Sequence, residues 1–236
     1  MDNSPLSTLP AELRDVMYEL ALHSEDAVVL QWHPDLGGFR ACSSAGLPIP
    51  IRLALTETCK QTRSECLQLF YTSNTFELRL GEKVDERTFA ERCTVMNRDP
   101  NPQYGHMVDT FFTSIGSATE AAITRLNVDL GMLSNNQGFA QFVMAVEQLE
   151  PRMLAHAELS IKIKGTCWRL FWVEPENATI ELDLRDMEAT CDSAIAKINA
   201  APYVGGPRAA EARALRYCIA SCKNAHVRRR SLAVNN

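Results

Sequence analysis

Cys218, Cys222 and His226 recur at i, i+4 and i+8 near the end of the chain. On a helix that spacing places two thiols and an imidazole on one face, an arrangement suited to metal ligation. A zinc site wants four ligands and usually closer cysteine pairs. No fourth partner is evident in the sequence, so the packed face of a helix is the favoured reading. Arg228, Arg229 and Arg230 follow at once. They suit a phosphate, a nuclear-import signal or the negative end of a helix dipole, with a solvated tail as the plainer alternative. Trp168, Phe171 and Trp172 suit either a ligand pocket or a strand core, and the core is favoured for large aromatic side chains. Arg63 and Glu65 suit a functional pair or structural pairing with other elements, and the latter is favoured because residues two apart on a helix do not face each other. The histidines (His23, His33, His106, His156 and His226) are dispersed. No nucleophile elbow, phosphate-binding loop, H-E-x-x-H or dinucleotide fingerprint occurs. The expectation is a protein that is not an enzyme and needs neither cofactor nor metal.

The elements that must position these residues follow from hydrophobic period. Leu9, Leu13, Val16, Met17 and Leu20 recur at helical spacing and predict a helix from about Pro10 to His23, with proline at its first position. Residues 27–32 read as a strand, and the glycine- and proline-rich stretch 33–50 as an exposed loop. A second helix is predicted from about Leu53 to Thr72, ended by Asn74 and followed by an alternating strand, Phe76 to Leu80. A helix from Asp85 to about Met96 precedes a proline-rich break at 98–102. Further helices are predicted at 108–115, 118–123, 137–149, 185–200 and 207–228, and strands at 126–130, 158–164, 169–173 and 179–184. The strands ending at Leu80, Leu130, Lys164 and Leu184 carry apolar residues on one face. Their polar rows are Glu77 and Arg79, Asn127 and Asp129, Lys162 and Lys164, and Glu181 and Asp183. A sheet with one covered and one wet face gives that pattern. The wet rows are either a client-binding surface or solvated residues in cross-strand ion pairs. The expected fold class is α+β: a helical N-terminal module with a strand insert over residues 6–80, then helix–strand units over 81–236 whose sheet has one face covered by helices.

At 236 residues, 46% apolar and 22% charged, the chain can bury a core without disulfides. No apolar run approaches the roughly 20 residues of a membrane span, and the first residues lack the pattern of a secretory signal. The eight cysteines are scattered, with no C-x-x-C, and read as small buried hydrophobes in a reducing compartment, cytoplasmic or nuclear. The net charge of −5 is uneven: residues 207–236 hold seven basic residues against Glu211, a balance of +6 that leaves −11 on residues 1–206. An acidic body disfavours nucleic acid as a partner.

The first 80 residues carry the one pointer to a class of function. They contain Leu9-Pro10-Ala11-Glu12-Leu13-Arg14 at a helix start. Later come Leu55, then Cys59-Lys60-Gln61-Thr62-Arg63-Ser64-Glu65, then Leu69-Phe70-Tyr71-Thr72-Ser73-Asn74-Thr75-Phe76. In order and spacing this region resembles the F-box-like proteins of filamentous fungi, and Ile115-Gly116 before the strand at Leu126 is similar to them too. The resemblance implies a helical module that binds a Skp1-type adaptor and presents a client protein to a ubiquitin ligase. Leu9, Pro10, Leu13, Val16 and Met17 are then the partner-binding residues, through a helix that sets apolar anchors into the adaptor. The alternative for the same residues is packing against the protein's own second helix and strands, in a structural or scaffold domain that binds no adaptor.

Overall fold

The computed structural model describes residues 8–42, 60–81, 104–133, 136–167, 179–201 and 209–234. The helices are α1 (Ala11–Leu22), α2 (Lys60–Ser73), α3 (Tyr104–Ile115), the single turn α4 (Ser117–Glu120), α5 (Asn136–Ala155), α6 (Met187–Ala200) and α7 (Ala209–Val234). The strands are β1 (Val28–His33), β2 (Gly38–Cys42), β3 (Thr75–Arg79), β4 (Arg125–Met132), β5 (Ser160–Thr166) and β6 (Thr179–Asp183), hydrogen-bonded in the order β2-β1-β3-β4-β5-β6. The fold is thus a mixed one of helices and sheet. The expected helix at 85–96, the break at 98–102 and the strand at 169–173 with Trp168 and Trp172 lie outside the described residues. The chain divides into two compact units, residues 1–78 with 111–126 and residues 79–110 with 127–236.

In the first unit α1 packs on α2. Tyr18 and Leu22 are the buried residues of α1, and Cys66 and Phe70 are buried on α2. The stretch read as a loop after residue 33 contains a strand instead. β1 and β2 form an antiparallel hairpin in which Val29 faces Cys42 and His33 faces Gly38. The turn Pro34–Leu36 closes through Gly37, whose φ of +57° a side chain would strain. Glycine and proline here shape a hairpin rather than a loop, and Trp32 packs edge-on to Phe39 across it at 5.2 Å. Gly116, at φ +78°, ends α3 by donating its N–H to the Phe112 carbonyl, and α4 starts at the next residue.

In the second unit β4, α5 and β5 form a crossover. The N–H of Leu133, just past the end of β4, donates to the carbonyl of Thr166, the last residue of β5, so β4 and β5 finish at the same edge and run parallel. β6 returns antiparallel to β5, with Ile163 facing Leu182. Val128, Leu130, Ile161, Ile163, Ile180 and Leu182 are wholly buried on one side. There α5 packs on β5, α6 on β6, and α7 against both helices. The opposite side is wet, and its charges pair across strands, Lys164 with Asp129 at 3.2 Å and Lys162 with Glu181 at 3.6 Å. β3 departs from the expected alternation. Arg79, read as a wet-face residue, is only 8% exposed, between buried Leu78 and Leu80.

Candidate functional site

α1 carries the residues singled out from the sequence, and its geometry starts at the N-terminal end. The helix begins at Ala11, with Pro10 as its N-cap rather than its first helical residue. The Pro10 carbonyl accepts from the N–H groups of Leu13 and Arg14, both at 3.1 Å, and Glu12 complements the positive end of the dipole. Arg14 then fixes the rotation of the helix. Its Nε and one terminal nitrogen donate side-on to the Glu65 carboxylate at 3.3 and 3.2 Å, and its other terminal nitrogen donates to the Leu9 carbonyl at 2.7 Å. This two-point guanidinium–carboxylate geometry specifies orientation as well as attraction. It also answers the sequence expectation for Glu65, whose partner stands on another element.

The far end of α1 is held by Asn74, which is fully buried. Its amide nitrogen donates to the Leu22 and Phe70 carbonyls at 3.0 and 2.8 Å, and its oxygen accepts the Ser24 N–H at 2.7 Å. One side chain thereby satisfies orphan carbonyls at the ends of two helices. From the sequence Asn74 signals only a helix end. Its role as a tie between α1 and α2 depends on a contact that the chain order does not show.

With both ends fixed, α1 presents three rows. Arg14, Tyr18 and Leu22 recur every four residues and face α2, with Tyr18 and Leu22 2% and 3% exposed. Leu13, Val16, Met17 and Leu20 form a second row that is 53%, 53%, 46% and 81% exposed. Leu9 continues this row part-buried, and Pro10 is exposed beside it. Glu12, Asp15 and Glu19 form the third row, all exposed. Neighbours at i,i+3 and i,i+4 knit the last two rows together, because Val16 lies beside both Glu12 and Glu19. Of the candidate partner-binding residues, Leu13, Val16 and Met17 therefore share one outward apolar strip of α1, while Pro10 is exposed and Leu9 part-buried just before the helix.

The other residues with chemical potential lie in the second unit. Cys222 and His226 are buried along α7, while Cys218 is partly exposed. Burial pushes the Cys191 and Cys222 thiols up to about 12, and that of Cys167 upward too, so at neutral pH they are protonated and poor as nucleophiles. Among the described residues no cluster of three or more His, Cys, Asp or Glu is arranged to hold a metal ion. His226 instead meets Glu150 of α5, with Nδ1 2.7 Å from Oε1, both residues buried. Arg229 approaches the other carboxylate oxygen at 2.8 Å, in an ion pair whose angle is not that of a hydrogen bond. Arg229 thus spends its charge inside the molecule, and α7 continues through the basic cluster to Val234 instead of ending there.

No protein-family model, curated protein or solved structure matches the chain. No helix among the described residues is long and apolar enough to cross a membrane.

Proposed function

We propose that this protein is a non-enzymatic interaction protein that docks a partner on the outward face of α1. The partner is a Skp1-type adaptor, and the remainder of the chain presents a client. The observation that carries this reading is the exposure of Leu13, Val16, Met17 and Leu20 while Tyr18 and Leu22 of the same helix are buried. Four large apolar side chains in one exposed row cost solvation free energy that a docking partner recovers, and a helix laid into an apolar groove is an established recognition mode. The likeness of residues 9–14 and 59–76 to F-box-like proteins supplies the identity of the adaptor. The rival reading, a scaffold domain that binds no adaptor, gives this row no partner to cover it, and the exposure of the four side chains favours docking.

The test is capture of a purified Skp1-type adaptor by the intact protein and by a Leu13→Ala, Val16→Ala, Met17→Ala variant. The wild type is expected to retain the adaptor and the variant to lose it while keeping its fold. No retention by the wild type removes the adaptor from this account.

A further inference from the structure

The acidic row of α1 adds a second property to the docking face. Glu12, Asp15 and Glu19 border the apolar row along its length. The one cation of the helix, Arg14, is turned inward onto Glu65. The outward surface of α1 therefore holds three negative charges, no positive one, and an apolar strip against them. We propose that this face takes a partner whose groove is apolar on one side and rimmed by lysine or arginine on the other. The acidic row sets the direction in which α1 lies and the rate at which it docks.

Apolar burial is non-directional and does not distinguish the two ways a helix can lie in a groove. Charges at the edge of an interface act mainly on association rate and register, and are screened beyond a Debye length of about 8 Å at physiological salt. Charge on one flank alone makes the two orientations unequal. The inference rests on the reading that α1 docks a partner, but not on that partner being a Skp1-type adaptor.

The test places a photoreactive phenylalanine analogue at Leu20, the most exposed residue of the row, in the full chain expressed in its own cell. Cross-linked partner peptides are identified by mass spectrometry. The measurement is repeated with Glu12→Lys, Asp15→Lys and Glu19→Lys together, with the milder Glu12→Gln, Asp15→Asn and Glu19→Gln, and with a control reversing Glu147, Glu158 and Glu188 of the other unit. Circular dichroism checks each fold. The expected result is a partner segment with both apolar and basic residues. Yield should fall about 10-fold or more on reversal, less on neutralisation, and stay level in the control, as expected where steering charges are removed. Absence of a cross-link from Leu20, an acidic partner segment, or a yield indifferent to reversal overturns the proposal. A basic-rimmed partner that is not a Skp1-type adaptor upholds this inference and removes the adaptor reading. A purified adaptor that binds equally well after reversal does the opposite.

Discussion

The Asn74 side chain donates to the Leu22 carbonyl at 3.0 Å, joining residues 52 apart in sequence inside the first unit. The same amide nitrogen reaches Phe70, and its oxygen takes the Ser24 N–H. The end of α1, the end of α2 and the chain entering β1 thus converge on one buried amide.

Asn74→Ala is expected to destabilise by about 2–3 kcal/mol, because it leaves buried backbone groups without partners. Asn74→Asp is nearly isosteric but loses both N–H donors and buries a charge, so it should cost at least as much. Urea unfolding measures both. A shift below about 0.5 kcal/mol, the usual range for surface changes, would show that Asn74 is not the tie described.

Substitutions in α1 should separate by row. Leu13→Ala, Val16→Ala and Met17→Ala are each expected within about 0.5 kcal/mol of wild type, since they start half exposed. Leu22→Ala should cost about 2–5 kcal/mol, as deletions from packed cores do. Thermal melts of single variants distinguish the rows, and a large loss at Leu13 or Met17 would contradict an outward-facing strip.

Glu150, His226 and Arg229 should behave as one unit. Replacing His226 or Arg229 alone leaves the buried carboxylate short of a partner, and breaking such a pair costs about 3–5 kcal/mol. The triple change Glu150→Leu, His226→Leu and Arg229→Met should cost less than the sum of the singles, and less than the worse of them if the apolar set packs. Unfolding free energies across the set decide this, with simple additivity as the contrary result.

Cysteine chemistry gives a dependence on alkaline pH. Burial raises the folded thiols of Cys191 and Cys222 from an ordinary 9.0 to about 12. Above about pH 9 the unfolded chain loses those protons first, so it binds fewer than the folded one and stability falls as pH rises toward 12. The contribution is fully present below pH 9. Site-resolved alkylation of the native protein at pH 8 should label Cys218 ahead of Cys191, Cys222 and Cys167. Rapid labelling of Cys222 in the folded protein would count against its burial.

Most helices and strands were legible from period, because burial repeats every 3.6 residues in a helix and every two in a strand. Ile161 and Ile163 against Lys162 and Lys164 show this plainly in β5. The hairpin strand β2 was not legible, since Gly38, Phe39, Arg40 and Ala41 lack a clean alternation and the turn residues around them mimic a loop. α5 runs to Ala155 through Pro151, which is compatible with a helix when the freed carbonyl lies at an exposed residue, here Glu147. The burial of Arg79 and of Glu150 depends on neighbours far away in the chain, which no local pattern encodes.

For α1 the sequence by itself determined that a helix forms, that it carries an apolar row from Leu9 to Leu20, and that acids stand beside that row. It did not determine which row faces inward. Either the broad apolar row or the narrower one of Arg14, Tyr18 and Leu22 fits a helix on a core. Tertiary structure decided it, by pairing Arg14 with Glu65 and gripping the Leu22 carbonyl with Asn74. Both contacts are directional, whereas apolar burial alone is not. They set the rotation of the helix, bury the narrower row and leave Leu13, Val16, Met17 and Leu20 facing out.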